Sequence, residues 1–269
     1  MGRLYPRMRE RPPEWTINNA SPLLDALYFF FAPCRGWYLD NGPYNFKLIP
    51  FRGMPPFIWW PSIGRHAITM LKGPEVLRMS PPSVWAFPAG SCFTICSWVR
   101  RRRVNSSWIF RYLGSASYPG WALHAYGSYV SATVADASGT SVRLDIDTCP
   151  AETDAHFAAV IKRDESISGW KNGKLVASTV LPSLGSLEHS YFVAIGNAPW
   201  GSGSEVWCGP ITDVMLWRRE LSEAEIAALA DPSNVDLRVG GVPLILPPRR
   251  RFWPVVSEQA IPKMVPWHL

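Results

Sequence analysis

The chain has 269 residues with 47% hydrophobic and 18% charged content, enough apolar material for a substantial core. Twenty-seven basic against 21 acidic residues leave a net charge of +6, which favours acidic surfaces such as a capsid lattice, an anionic polysaccharide or nucleic acid. No apolar run is long enough to span a bilayer, no helical period of useful length competes with the short alternating runs, and no motif sets basic and stacking residues at a nucleic-acid-binding spacing.

The first 20 residues carry Arg3, Arg7, Arg9 and Arg11 among Pro6, Pro12 and Pro13, a polar segment without the apolar core of a secretion signal. Asp136-Ala137-Ser138-Gly139 reads as a hairpin turn between strands. Asn172-Gly173, inside Trp170-Lys171-Asn172-Gly173-Lys174-Leu175-Val176, sits where a tight hairpin needs positive φ. Residues 208–217 alternate as a strand. Ile211, Asp213, Met215 and Trp217 fall on one face, and Thr212, Val214 and Leu216 on the other. Apolar residues on both sides predict a strand covered on both faces. Ser222 stands three residues before Glu225, the spacing of a capping box. The helix it opens ends near Ala230, where Asp231-Pro232 stops it. Beyond lie Pro243, Pro247, Pro248, Pro254, Pro262 and Pro266, a density that predicts extended chain.

The strand and capped helix over residues 208–229 resemble the closing elements of the laminin-G-like, concanavalin-like jellyroll family. Other segments resemble that family in order and spacing. Residues 27–31 match an early edge strand, 64–73 the strand opening the central sandwich, 93–99 its first central strand, and 120–123 the glycine-led strand that follows. Residues 156–160 match a His-x-Ala-Ala-Val strand, 170–176 an aromatic-x-Asn-Gly-Lys hairpin, and 195–196 a strand end. The resemblance implies an all-β antiparallel β-sandwich jellyroll with one short helix over residues 21–230. A basic, proline-rich N-terminal arm (1–20) and a proline-rich C-terminal tail (231–269) flank it. It also implies packing or hairpin positions for Trp98, Trp121, Trp170 and Trp217.

Fourteen tryptophans exceed what core filling needs, and aromatic rings serve as platforms for sugars or anchors for proteins. Trp59, Trp60, Trp200 and Trp207, close to prolines or glycines, are the carbohydrate or interface candidates. Five cysteines, Cys34, Cys92, Cys96, Cys149 and Cys208, form no regular framework and are expected as free thiols. Cys92 and Cys96 lie about 13 Å apart on an extended strand, too far for a disulfide. Arg100 to Arg103 are expected to be a solvated loop. Laminarinase-like relatives of the fold carry Glu-x-Asp-x-x-Glu. The nearest string, Leu144-Asp145-Ile146-Asp147-Thr148-Cys149, has aspartate at the first position and Thr148 or Cys149 at the last, so Asp145 and Asp147 are expected as an acidic pair beside a turn. A Gly-x-Ser-x-Gly elbow is absent, and the five histidines have no metal-ligand spacing, so catalytic residues and a metal site are not assigned. No cofactor is expected. Calcium is the one cation for which oxygen ligands are at hand, from Asp136, Asp145, Asp147, Asp213 or Asn197.

A solvated tail would be poor in apolar residues, but this one carries Leu244, Ile245, Leu246, Phe252, Trp253 and Trp267 beside Arg249, Arg250 and Arg251, so it is expected to dock. The tail pattern also resembles those of laminin-G-like structural proteins encoded by tailed bacteriophages and prophages. The leading expectation is therefore a non-enzymatic virion structural protein, a capsid decoration or fibre-like surface protein. It would fold in the host cytoplasm without a signal peptide, reach the virion surface, and join other virion proteins such as a major capsid protein as a homo-oligomer. The alternative is a carbohydrate-binding lectin or adhesin for host-surface glycans. No membrane or nucleic-acid partner is expected.

Overall fold

A computed structural model describes residues 16–17, 23, 26–31, 46, 48–70, 75–79, 85–103, 106–113, 119–198, 205–233 and 238–239. The chain divides into two compact units, residues 17–237 and residues 1–16 with 238–269. β1 (Thr16–Ile17) and β17 (Arg238–Val239) form a two-stranded ladder of their own. No described helix is long and apolar enough to cross a membrane.

The larger unit is a sandwich of two antiparallel sheets. In chain order its strands are β2 (Leu27–Phe31), β3 (Ile49–Phe51), β4 (Phe57–Trp60), β5 (Arg65–Met70), β6 (Val76–Met79), β7 (Cys92–Arg100) and β8 (Ser107–Leu113). Then come β9 (Gly120–Tyr126), β10 (Tyr129–Ala135), β11 (Ser141–Thr148), β12 (Asp154–Lys162), β13 (Ser166–Lys171), β14 (Lys174–Val180), β15 (Val193–Ile195) and β16 (Gly209–Trp217), and helix α1 (Glu223–Leu229). The seven-stranded sheet runs β11-β10-β9-β8-β15-β6-β3. The eight-stranded sheet runs β14-β13-β12-β7-β16-β5-β4, with β2 beside β16.

Alternation explains the sandwich. Trp121, Leu123 and Ala125 of β9, Val130, Ala132 and Val134 of β10, and Leu144 and Ile146 of β11 point into one core. Phe93, Ile95 and Val99 of β7 and Phe157, Ala159 and Ile161 of β12 meet them from the other sheet. The residues between these positions take the outer faces, as a period of two requires. Asn172 and Gly173 have φ of 49° and 80°, the paired positive values a two-residue hairpin between β13 and β14 uses to match strand twist. Gly120 has φ 131°, and a Cβ there would stand 1.7 Å from the Tyr112 carbonyl oxygen, so only glycine lets β9 lie this close to β8.

Helix α1 covers the outer face of the eight-stranded sheet. Ser222 is its N-cap: the hydroxyl accepts from Glu225 N–H, and the Glu225 carboxylate accepts from Ser222 N–H at 2.8 Å, the expected capping box. Trp98 Nε1 donates to the Leu229 carbonyl at 3.2 Å, tying the last turn to β7. A second cluster on this face joins Trp60, Ile63, Ala67 and Trp98. The buried Arg65 and Asp213 side chains form an ion pair there, and His156 lies 1% exposed, its ring 5.6 Å from that of Trp98.

Two expectations are corrected by the packing. The even alternation of residues 208–217 fails because β16 carries a bulge between Thr212 and Met215, with Asp213 at φ 49°. The added residue reverses the phase, so Ile211 shares the main core with Val214 and Leu216, whereas Asp213 faces Arg65. Residues 100–103 are not a uniformly solvated loop. Arg100 pairs with Asp154, and Arg101 is 0% exposed, donating to the carbonyls of Arg103 and Gly127. Only Arg102 and Arg103 of the run are exposed. Cys92, Cys96, Cys149 and Cys208 are free thiols, the last three buried; Cys34 lies outside the described residues.

Candidate functional site on the outer face of the seven-stranded sheet

Strands that fill the core with every second residue must present the others outward, and on β8 to β11 those others are polar or aromatic. Trp108 and Arg111 come from β8, His124 and Tyr126 from β9, Tyr129, Ser131 and Thr133 from β10, and Arg143 and Asp145 from β11. Register brings them together: Trp108 lies opposite His124, His124 opposite Ser131, and Ser131 opposite Asp145. One residue pair further along, Ala122 lies opposite Thr133, and Thr133 opposite Arg143.

Polar contacts join these side chains across the strands. Trp108 Nε1 donates to Glu205 at 3.1 Å, and the Arg111 guanidinium lies 3.7 Å from the centre of the Trp108 ring. His124 Nε2 stands 2.8 Å from Thr133 Oγ1. Ser131 donates to Asp145 at 2.7 Å, and Arg143 reaches the same carboxylate at 3.0 Å. The Arg143 guanidinium also sits 4.0 Å from the centre of the Tyr126 ring, a cation–π contact.

Burial grades this face. Arg111, Ser131 and His124 are buried, and desolvation pushes the Arg111 pKa down to about 9 against the pull of Glu205. Burial likewise pushes His124 down to about 4, with Arg111 and Arg143 adding to the effect, so its imidazole is neutral at physiological pH. The open end is the β9–β10 hairpin. Tyr126 and Tyr129 face each other across its two-residue Gly127-Ser128 turn and are 51% and 43% exposed. With Arg143 and Asp145 they form an accessible group of two aromatic rings, a cation and a carboxylate. Such a group can stack a flat ring and exchange hydrogen bonds with hydroxyls. The sequence reading did not single out these tyrosines; the signal was the Tyr-Gly-Ser-Tyr hairpin between alternating strands.

The tryptophans chosen from sequence are dispersed. Trp207 is 0% exposed and donates to the Arg100 carbonyl, and Trp60 is 1% exposed and donates to Asp154. Both are corrected from surface platforms to packing residues, because a neighbouring proline or glycine marks a chain turn and not which way the indole points. Trp59 is 47% exposed and meets His66 edge-on at 5.1 Å. Trp200 lies outside the described residues, as do Leu244, Ile245, Leu246, Arg249, Arg250, Arg251, Phe252, Trp253 and Trp267 of the tail.

The candidate acids and cation ligands have other commitments. Asp147 binds Lys171 at 2.8 Å, which holds its carboxyl below the usual range. Asp136 accepts from the backbone of Ser138, Thr140 and Gly185, Asp213 is held by Arg65, and Asn197 bonds the backbone of Ala198 and Glu75. These residues do not converge, and among the described residues no three His, Cys, Asp or Glu side chains are grouped to hold a metal ion. The calcium ligand set does not fit this arrangement.

Sandwich topology, register and capped helix together define a lectin-type jellyroll. The chain belongs to the concanavalin A-like lectin/glucanases superfamily, whose laminin-G-type model matches residues 80–227, more than half of its length. Among solved structures it is similar to the binding domain of Paraclostridial mosquitocidal protein 1, with a TM-score of 0.65 at 13% identity over 77% of this chain and 52% of that one. It is also similar to the receptor-binding domain of botulinum neurotoxin mosaic serotype C/D, with a TM-score of 0.61 at 13% identity over 78% and 51% of the two chains. A third is botulinum neurotoxin type C, whose cell entry depends upon interaction with two ganglioside molecules; its TM-score is 0.59 at 13% identity over 77% and 51%. At these identities the likeness is one of fold, and the chain spans about half the length of these structures. No curated protein matches the chain.

Proposed function

We propose that this protein is a non-enzymatic glycan-binding module, and that the Tyr126–Tyr129 hairpin with Arg143 and Asp145 is its binding edge. The observation that carries the proposal is the pair of half-exposed tyrosines facing each other beside an exposed Arg–Asp pair. Sugar rings have apolar faces that stack on such rings, and hydroxyls that a guanidinium and a carboxylate can bond from the side. The superfamily includes lectins, and a structural neighbour engages gangliosides; both support a glycan in preference to a capsid lattice as the partner. Each candidate carboxylate here contacts a cation, Asp145 with Arg143 and Asp147 with Lys171, which supports binding over hydrolysis.

The test is glycan-array retention of the full chain against Tyr126→Ala/Tyr129→Ala. Loss of the rings should weaken binding about tenfold, equivalent to roughly 1.4 kcal/mol, with an unchanged melting temperature. Equal retention by the variant would remove the hairpin from the site, and no retention by the parent chain on any glycan would remove the function. The virion-surface assignment, with residues 1–20 and 231–269 as assembly arms around a 21–230 jellyroll, draws on the sequence alone. Full particle incorporation of a chain lacking 231–269 would defeat the role given to the tail.

A further inference from the structure

A second, separate feature lies at the rim of the sandwich. A cleft of about 490 Å³ opens between residues 86–89, which lead into β7, and residues 184–188, in the strap between β14 and β15. Its floor is the buried Phe87, Leu184 and Leu187, its open apolar wall is Ala86, Pro88 and Ala89, and its cations are Arg163 and Arg218.

The walls are fixed in advance. Arg163, 5% exposed, donates to the carbonyls of Phe87, Leu184 and Gly185 at 2.6, 2.8 and 2.6 Å, clamping one wall to the other. Asp164 accepts from Leu184 N–H at 3.1 Å and from Gly90 N–H at 3.0 Å, and Asp136 accepts from Gly185 N–H at 2.9 Å. Phe87 is held at φ 35°, a left-handed conformation that costs an aromatic residue energy and persists only where its surroundings enforce it.

This clamp leaves Arg163 without a carboxylate hydrogen bond, Asp164 and Asp136 acting on it only through space. The two nearby aspartates are bonded to backbone amides, and Arg163 is bonded only to carbonyls, with its Nε buried and lacking an acceptor. Arg218 is exposed, and its guanidinium lies 5.3 Å from the Tyr28 ring centre and 5.7 Å from that of Phe87. No described carboxylate pairs with it, and it lines the cleft beside these two rings. The one acid in the lining is Glu188.

We propose that this cleft binds a small organic carboxylate: the anionic group is forked by Arg218, and a flat apolar body lies against Ala86, Pro88 and Ala89. A rigid apolar cleft with one converging charged donor is the usual form of a small-molecule site, and a planar guanidinium matches a carboxylate bidentately. The site shares no residue with the hairpin proposed for glycans and stands or falls independently of it.

Saturation-transfer NMR on the full chain, with benzoate and its uncharged analogue benzyl alcohol as probes, tests the assignment. Benzoate should bind saturably, benzyl alcohol should not, and Arg218→Gln should weaken benzoate at least fivefold without moving the melting temperature, because Arg218 is a surface residue. No benzoate signal at 20 mM, equal binding of the two probes, or wild-type affinity in Arg218→Gln would each overturn the site. Equal competition by sulfate would overturn the part assigned to the apolar wall. Should Arg218→Gln fail to fold, Ala89→Asp, which places a carboxylate on the exposed wall and leaves both cations, should abolish binding; retained binding would refute the proposal.

Discussion

Acid should unfold this jellyroll in a window set by buried histidines, and His156 is the group to perturb. Its ring is 1% exposed beneath α1, neither nitrogen has a hydrogen-bond partner, and Asp213 and Arg65 are the ionisable groups that act on it. Burial pulls its pKa down to about 3, with Asp213 opposing and Arg65 reinforcing the shift; unfolded, it returns to about 6.5. Between these values the unfolded chain takes up a proton that the folded one refuses. The stability linked to this ring is therefore complete above about pH 6.5 and is lost on acidification at about 1.4 kcal/mol per pH unit. From pH 7.5 to 4.5 that amounts to about 2.7 kcal/mol. His124, held at about 4, adds a similar loss. Together they remove about 5 kcal/mol, comparable with the entire stability of many domains. Glu225, held down to about 2 by Arg219, loses its contribution as the pH falls from about 4.5 toward 2, below this window. Urea titrations followed by tryptophan fluorescence at pH 7.5, 6.5, 5.5 and 4.5 would measure the slope. His156→Leu should reduce it by close to one proton and roughly halve the total loss. An unchanged slope in that variant, or a flat wild-type profile, would refute the claim that the buried ring is kept neutral.

Three further outcomes follow from the burial and exposure of polar and aromatic groups. Asp213→Ala strands the Arg65 charge beneath α1 and should cost about 3–5 kcal/mol, whereas replacing both partners by Leu and Met should recover most of that loss; calorimetry on the three chains checks it. Trp207→Ala should cost about 3–5 kcal/mol by opening a core cavity and leave the glycan profile of the surviving folded fraction unchanged. Trp59→Ala, at an exposed edge, should barely move the melting temperature; a drop as large as that of Trp207→Ala would contradict their difference in burial.

Local chemistry in the sequence was sufficient for several elements. Ser222 and Glu225 specify the start of α1 because a capping box needs only two side chains three residues apart, and Asn172-Gly173 specifies a hairpin because few residue pairs tolerate two positive φ values. The strands that pack the sandwich were legible because inward positions must be apolar at every second residue. What lay beyond reach depended on neighbours distant in the chain. Period-two reading assigns faces but cannot see the bulge at Asp213, which depends on an arginine 148 residues away. Composition cannot say that Trp207 and Arg101 are buried while Tyr126 and Tyr129 are exposed, since burial is decided by which sheet or loop covers a side chain. Fold therefore followed from local pattern and family resemblance. The candidate sites arose only when register set β9 beside β10 and the strap after β14 met the segment before β7, because convergence of side chains is a property of tertiary structure.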